Sequence, residues 1–523
     1  MHCVIGSGPA GIACAKALLA RGVCVLMLDA GLELEPDRAQ IARQLAAQIP
    51  SNWQADQIQA LKGDTLADAA GIPLKRLFGS DFPYRETEEK IPWRNQGTGL
   101  KPSLAFGGLS NVWGAAMLPH REEDMTDWPV KNSDLAQHYR AVTEFTGLAA
   151  QPDDLTEIFP LHCDHPGNLP PSRQADSLLK KLARHRQKLR QRGWHFGRAR
   201  AAIRAPDNTN QNGCVRCGFC LYGCPYGYIY NSADTVRELL EHPQFTYQRD
   251  VIVTAVHEAA GKILITAFNR LTRAPLTFEV DRVYLAAGVI PTARIVLRSQ
   301  NAYNRALTLR DSQYFLFPLL SARRTPGVEA ETLHTLSQIF LELKQPDVSH
   351  HSVHLQVYTY SDTIGEAIRK SLGPLKWLAR PLIERMVVVQ GYLHSDDSST
   401  VAMTLKPASE TDFLQLEARP NPKARVVVKK VMRELLKQSH RLGGLAVPPM
   451  LQFAEPGRGF HSGGSLPMRE QPGPFETDTL GRPHGWSRIH VVDASVLPSI
   501  PATTITFSVM ANAHRIGWQT ASL

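Results

Sequence analysis

What this chain of 523 residues lacks narrows the field quickly. No stretch approaches the roughly 20 consecutive apolar residues that a membrane-crossing helix needs. No internal repeat and no low-complexity tract occurs, and the 36 prolines are scattered. No secretory leader is expected, because Gly6 already begins the first turn. These absences predict a cytoplasmic protein, with a peripheral place on the inner membrane face as the variant. Cysteine is sparse, eight residues in all, which excludes a secreted disulfide framework. Acidic residues vanish from one segment: positions 180–204 hold ten Lys or Arg and no Asp or Glu. The segment 178–204 reads as a basic helix, with Leu178, Leu182, Ala183 and Leu189 on one face and Gly193 as its stop. It is either a solvated face or a surface for an acidic partner, a phosphorylated substrate or an anionic membrane. Nucleic acid is not expected, since no aromatic-rich or helix-turn-helix module accompanies the charge.

What is present is an ordinary globular composition, 43% apolar and 20% charged, with length enough for two interleaved domains. The chain opens on a short apolar strand, His2-Cys-Val-Ile5, running into Gly6-Ser-Gly8-Pro-Ala-Gly11 and an amphipathic helix. A second strand, Val23-Cys-Val-Leu-Met-Leu28, ends at Asp29. Gly6 permits the tight turn, Gly8 lets backbone approach a pyrophosphate, and Gly11 lets helix and strand pack closely. The helix N-terminus offers N–H groups to phosphate, and Asp29 would accept hydrogen bonds from a ribose. This β-α-β-acid context reads as a dinucleotide site. Cys3, Cys14 and Cys24 fall in its apolar pattern and read as small core residues.

Four cysteines crowd into Cys214-Val-Arg-Cys217-Gly-Phe-Cys220-Leu-Tyr-Gly-Cys224-Pro225. The spacing C-x2-C-x2-C-x3-C-P is that of bacterial ferredoxins, whose thiolates hold iron–sulfur clusters. Zinc would need four thiolates set tetrahedrally, which such short spacers make hard. An empty or disulfide-bonded loop is the remaining reading. A dinucleotide site beside such a cluster suggests a two-electron oxidation drained in one-electron steps.

Three further stretches resemble the glucose-methanol-choline (GMC) oxidoreductases, an FAD-dependent family that oxidises alcohols. Phe106-Gly-Gly-Leu-Ser-Asn-Val-Trp-Gly114 is similar to the family's second glycine-rich loop. Val283-Tyr-Leu-Ala-Ala-Gly-Val-Ile-Pro-Thr-Ala-Arg294 resembles its flavin-side segment. Val491-Val-Asp-Ala-Ser-Val-Leu-Pro-Ser-Ile-Pro501, running on to Ala511, resembles its C-terminal signature. Asp127-Trp-Pro129 with Asp134-Leu and His138-Tyr139 is similar to a stretch of sugar- and polyol-active members. The CxxCGxCxxGC run matches a subgroup of the family, and related sugar dehydrogenases hold a [3Fe–4S] centre with the spacing of Cys214, Cys220 and Cys224.

The resemblance implies an α/β fold: a Rossmann-type FAD-binding domain interleaved with an α+β substrate domain of antiparallel sheet and helices. Its expected segments are 1–310 for the FAD domain with the cysteine loop 214–225, 311–445 for the substrate lid, and 446–523 for the returning FAD segment. The lid is expected to contain strands around 354–360 and 400–405. The resemblance places FAD against Gly6, Gly8, Gly11, Asp29, Gly107, Gly108, Ser110, Gly114, Ala287, Gly288, Asp493 and Thr503. His461, in Phe460-His-Ser-Gly-Gly-Ser465-Leu-Pro-Met468, takes the place of the catalytic histidine. The second catalytic position, normally His or Asn, falls on Thr504, which cannot carry charge as imidazole does. His461 is therefore expected to act alone as base, with Thr504 or Asn111 orienting the substrate.

The metal ligands implied are Cys214, Cys217, Cys220 and Cys224, holding one [3Fe–4S] or [4Fe–4S] cluster. The expected activity is oxidation of a small-molecule alcohol, with electrons passing to a quinone, cytochrome or ferredoxin-like acceptor. An oxygen-using oxidase without a cluster is one alternative, and an inactive flavoprotein used for binding or redox sensing is another. Positions 364–389 show apolar residues at helical spacing beside Arg369, Lys370, Lys376, Arg380 and Arg385. That stripe either packs on its own domain or makes a peripheral membrane contact.

Overall fold

The computed structural model describes residues 1–63, 71–206, 212–409 and 411–522. Its first layer is a parallel sheet of five strands, in the order Ile489–Val491, Arg282–Leu285, His2–Ile5, Val25–Leu28, Phe245–Gln248. The strands Val25–Leu28 and Arg282–Leu285 are buried throughout, as a parallel sheet covered on both faces requires. Helices Pro9–Ala20 and Thr506–Thr520 pack together against it, and Gly517 makes this possible: a Cβ there would stand 2.8 Å from the Cys14 carbonyl oxygen. Cys3 and Cys14 are core residues as expected. Cys24 is exposed, because the second strand begins at Val25 rather than Val23 and leaves Cys24 in the turn.

A second sheet is antiparallel, in the order Gly444–Ala446, Tyr314–Ser321, Met386–Tyr392, Val353–Tyr358, Ile339–Leu343, Trp194–Arg198. Alternation along its strands divides its chemistry in two. Phe317, Leu341, Leu355 and Val389 join a core with the helices Arg173–Arg184 and Pro422–Lys437. The intervening residues, among them Glu342, His354, Gln356, Tyr358 and Tyr392, make a polar face that is nevertheless buried. The strand Thr400–Lys406 lies elsewhere, in a third sheet ordered Ser462–Gly463, Ala306–Asp311, Thr400–Lys406, Phe413–Arg419, Trp93–Gln96. A three-stranded antiparallel sheet, Val251–Ala259, Lys262–Asn269, Pro275–Val280, completes the set. The α/β class, a dinucleotide-type sheet plus a helix-backed antiparallel sheet, is the one expected.

One helical expectation is corrected. The basic segment breaks at His185 into Arg173–Arg184 and Arg186–Arg190, and Ala183 faces solvent instead of the core. Its charges do not share one surface, since Arg200 is buried and donates to the Phe159 carbonyl at 2.5 Å. The stripe at 364–389 is interrupted, as its prolines suggest. Helix Asp362–Leu372 meets Gly373 and Pro374, a turn Gly373–Leu378 and a short helix Ala379–Ile383 follow, and Val389 belongs to the buried strand Met386–Tyr392. The turn leaves Trp377 71% and Leu375 51% exposed. Among the described residues no helix is long and apolar enough to cross a membrane.

Helix Val289–Ser299 is fastened to the third sheet by a buried ion pair, Arg294 with Asp412, to which the Tyr303 hydroxyl also donates at 3.1 Å. Removing one member leaves an uncompensated buried charge, which typically costs about 3–5 kcal/mol. Asp412→Ala should therefore lower the urea midpoint by that equivalent. The double variant Arg294→Met/Asp412→Leu should lose far less.

Candidate active site

The glycine-rich opening folds for the reasons its sequence suggests. Gly6 has φ +106°, and a Cβ there would lie 2.5 Å from the Ala286 carbonyl oxygen. A Cβ on Gly11 would lie 1.9 Å from the Gly6 carbonyl oxygen. Around Gly8 there is open space instead: a Cβ would meet no atom within 4 Å. The second glycine loop comes directly against the first, with a Gly108 Cβ 3.3 Å from the Gly8 Cα and the Gly107 N–H donating to Ser7 Oγ at 2.8 Å. Asp29 is buried and accepts from the Ser7 N–H at 3.0 Å, the Gly31 N–H at 3.1 Å and the Tyr247 hydroxyl at 3.2 Å. Burial raises its pKa, and these donors oppose the shift. Asp493 is buried likewise and accepts from the Gly288 N–H at 3.0 Å, Thr292 Oγ1 at 2.5 Å and the Ser495 N–H at 2.9 Å. One carboxylate thereby ties the turn at Ala287 and Gly288 to the returning C-terminal segment.

The loop 106–114 is held from within and behind. Ser110 Oγ donates to the Gly107 carbonyl at 2.6 Å and meets Ser232 Oγ at 2.8 Å. Asn111 donates through Nδ2 to the Phe106 and Gly108 carbonyls and accepts from Asn231 Nδ2 at 2.9 Å. Its amide is thus committed to the loop, which removes it as a substrate-orienting group. Trp113 Nε1 donates to the Tyr230 carbonyl at 2.9 Å. Gly114 faces the polar sheet, its missing Cβ 3.5 Å from the Tyr358 hydroxyl. Thr504 Oγ1 donates to the Ala116 carbonyl at 3.1 Å and keeps only acceptor capacity. Trp128, Tyr139 and His138 brace the C-terminal signature, through Ser499 at 2.9 Å, Ser508 at 2.6 Å and His514 at 2.9 Å.

His461 follows Phe460, whose backbone is left-handed at φ +57°, a conformation that a bulky residue adopts only when its surroundings force it. The imidazole lies deep in the molecule, although the residue is not fully buried. It stacks on Tyr392, ring centroids 4.6 Å apart. Burial, with a contribution from His354, pushes its pKa down to about 3, so the ring is neutral and basic-competent at ordinary pH. Its Nδ1 is buried without a partner among the described residues.

The four thiols of the cysteine run line one pocket, walled also by Ile203 and Ile229. All four are free, so the disulfide-bonded reading is not realised. Burial and then the neighbouring Cys220 push Cys214 and Cys217 up to about 12 as free thiols, and raise Cys224 as well. A single tetrahedral ion would draw its sulfurs close together. Among the described residues, however, the one group of metal-ligating side chains within 4.8 Å of one another is His351, His394 and Asp396. The cysteine pocket is therefore not arranged for a mononuclear site. It is joined to the loop 106–114 at short range. Cys224 Sγ accepts from the Tyr228 N–H at 3.3 Å, and Tyr230 and Asn231, just beyond, make the bonds to Trp113 and Asn111. Lys75 spans the same gap, donating to the Trp113 carbonyl with Cys220 nearby.

Several of these residues escaped the sequence reading. Lys75 sits in no motif, and His354, Gln356, Tyr358 and Tyr392 come from strands whose pairing the sequence does not display. The alternation of His354, Gln356 and Tyr358 with Leu355 and Val357 was the available signal.

The residues present fit a flavin dinucleotide. Gly8 leaves open space beside the N-terminus of helix Pro9–Ala20, the place for a pyrophosphate. Ser465 Oγ, Thr503 Oγ1 and Asn512 Nδ2, all in the C-terminal segment, are buried and lack a partner among the described residues. Such groups call for a polar ligand.

Comparison with known proteins agrees with this geometry. A family model described as GMC oxidoreductase matches residues 403–513. Paromamine 6'-oxidase of Streptomyces fradiae is 21% identical, over 98% of this chain and 89% of that protein. The fold matches the crystal structure of pyridoxine 4-oxidase from Mesorbium loti with a TM-score of 0.60, at 13% identity, over 100% of this chain and 99% of that one. It matches formate oxidase with a TM-score of 0.62, at 15% identity, over 99% and 97% of the two chains. Residues 403–513 thus match the GMC oxidoreductase model, and the fold along the whole chain is the one seen in these solved structures.

Proposed function

We propose that the protein oxidises an alcohol group on a sugar, polyol or related small molecule. FAD would lie on Gly6, Gly8, Gly11, Gly107, Gly108, Ser110, Gly114, Ala287, Gly288 and Thr503, with Asp29 at the ribose and Asp493 holding the turn beside it. An iron–sulfur cluster would sit among Cys214, Cys217, Cys220 and Cys224. Bound FAD would supply hydride acceptance from the alcohol carbon, and the cluster would supply removal of those electrons one at a time. The observation that carries this reading is the hydrogen-bonded joint between the loop 106–114 and the segment 228–231 leaving the cysteine pocket.

His461 takes the hydroxyl proton. It is neutral and fixed by Tyr392 and the constrained turn at Phe460. Thr504 can still accept a hydrogen bond from the substrate while donating to Ala116. The exposed Leu375 and Trp377, on the turn beyond helix Asp362–Leu372, supply the apolar element of a peripheral membrane contact that would suit a quinone acceptor. Flotation with anionic liposomes reads that contact directly, and failure to float removes it.

A second reading, an oxygen-using oxidase with an idle cysteine loop, is favoured by the names of the similar proteins, all of them oxidases. Hydrogen peroxide formed in step with turnover selects it. No peroxide, with reduction of an artificial one-electron acceptor, selects the dehydrogenase.

The decisive experiment is anaerobic purification with FAD, iron and sulfide quantified, then bleaching of the flavin by an alcohol panel that includes paromamine and pyridoxine. His461→Asn should slow that bleaching by about 10²–10⁴-fold while retaining FAD. Cys220→Ser should lose the iron. Cys217→Ser should keep it if the centre is [3Fe–4S] and lose it if it is [4Fe–4S]. Because His461 loses its basic form only as pH falls through about 3, its titration should leave bleaching unchanged from pH 5 to 8 and slow it only in stronger acid.

A further inference from the structure

A base carried on an irregular turn is placed only as well as that turn is fixed. His461 belongs to the stretch 457–462, which reverses direction through Gly457 at φ +82° and Phe460 at φ +57°. The Phe460 N–H donates to the Gly457 carbonyl at 3.2 Å and closes the turn from inside. Glycine is required at 457, where a Cβ would run into the Leu100 side chain. Position 460 has no such freedom, so groups outside the turn must hold its bulky residue in a left-handed conformation.

The strand Ala306–Asp311 supplies that group at its last residue. Its register pairs Asp311 with Ser462 and Arg310 with Gly463, which brings the Asp311 carboxylate against the turn. Oδ2 accepts from the Gly457 N–H at 2.8 Å, and Oδ1 accepts from the Ser462 hydroxyl at 2.8 Å. The two ends of the turn are thus fastened to the two oxygens of one side chain. The following residue adds a third bond, from the Ser312 N–H to the His461 carbonyl at 3.0 Å. The turn also lies close on the strand Tyr314–Ser321, since a Cβ on Gly459 would stand 3.1 Å from Tyr314 Cβ. Tyr314 stacks on Tyr392 at 5.2 Å, and Tyr392 stacks on the His461 ring at 4.6 Å. The His461 ring is held by this stack, and its backbone by the carboxylate.

Asp311 is 1% exposed, and among the described residues its charge is met by hydrogen-bond donors alone. The charged and titratable groups around it are engaged elsewhere or neutral. Arg310 pairs with Asp396 at 3.5 Å, and Arg458 donates to the Ile72 and Pro73 carbonyls at 3.2 and 2.7 Å. His461 is neutral, and burial keeps the Tyr392 hydroxyl protonated. Burial therefore pushes the Asp311 carboxyl up to about 7, against the opposing pull of Gly457, Ser462 and Ser312. As pH falls through that value, one oxygen takes up a proton. Ser462 can turn its hydroxyl to accept from it, but Gly457 is left donating to a neutral group and loses a charge-assisted bond.

We infer that Asp311 is the positioning residue of His461, clamping the turn 457–462 so that the imidazole meets the substrate hydroxyl; this rests on the alcohol-oxidation reading above. Asp311 acts through Gly457 and Ser462 and not on the reacting atoms. Its ionised form makes the tighter clamp, so oxidation is faster on the alkaline side of its titration. Asparagine is a neutral copy of the same clamp. Its carbonyl accepts from the Gly457 N–H and its amide donates to Ser462 Oγ, at every pH.

The test follows single-turnover bleaching of the FAD-loaded protein across neutral pH, using whichever panel alcohol bleaches the flavin fastest. In the unaltered protein the limiting rate should rise with pH through a midpoint of about 7 and then level off. Asp311→Ala should lower the plateau about 10²-fold, as a base displaced by about 1 Å would, and should change the half-saturating alcohol concentration far less. Asp311→Asn should recover most of that loss and remove the rise through pH 7. A second readout needs neither flavin nor alcohol. In protein labelled with ¹³C-histidine, the His461 ring signal, assigned by its loss in His461→Asn, should shift with a midpoint of about 7. The ring itself protonates only near pH 3, so that shift reports the clamp, and Asp311→Asn should abolish it. If Asp311→Ala does not fold, the asparagine variant and the ring signal decide. A rise or shift near pH 7 that persists in Asp311→Asn, or a folded Asp311→Ala that bleaches at the unaltered rate, overturns the clamp. Absence of bleaching by any alcohol in the unaltered protein overturns the oxidation reading itself, and the ring signal then judges the clamp separately.

Discussion

A single buried carboxylate, Asp493, organises the molecule. It accepts hydrogen bonds from Gly288, Thr292 and Ser495, and so locks the turn after one central strand to the start of the C-terminal signature. Burying a charge is costly unless its acceptor sites are filled, and here three donors fill them. Once that joint is closed, the carbonyls of residues 494 to 496 accept from the N–H groups of Gly464, Leu466 and Met468. The segment carrying His461 is thereby set against the glycine loops. A site built from four distant stretches of chain depends on this one fastening.

How much of this was legible in the sequence depended on the range of the interaction. Gly6, Gly11 and Gly108 do what their motifs suggest, because a turn of positive φ or a close backbone approach is a local demand that only glycine meets. The four cysteines were expected together, and they do share a pocket. Cys24 was misread because a strand boundary shifted by two residues moved it out of the core pattern. In the stripe at 364–389 the prolines announce the break that the structure shows after Leu372, while the return of Val389 to a strand depends on pairing with distant residues.

The polar face of the antiparallel sheet was out of reach for a physical reason. His354, Glu342 and His195 are separated by up to 159 positions, and only antiparallel register brings them abreast. Nothing in a single strand announces its partner. Lys75 was invisible likewise, since its role comes from what lies on either side of it, Trp113 and Cys220. Asn111 shows the opposite failure: a residue in the right loop whose hydrogen bonds are spent on the loop itself.

The two-faced antiparallel sheet has an evolutionary consequence. Its apolar side is welded to two helices, so sliding any strand by one residue would exchange oil for polar groups and wreck the core. Insertions within those strands are thus forbidden to a lineage that must stay folded. Replacement of inward side chains one at a time is not, because they contribute little to the helix-packed interior. New specificities on this scaffold can accordingly accumulate by point substitution, provided that buried partners such as Glu342 and His354 change together.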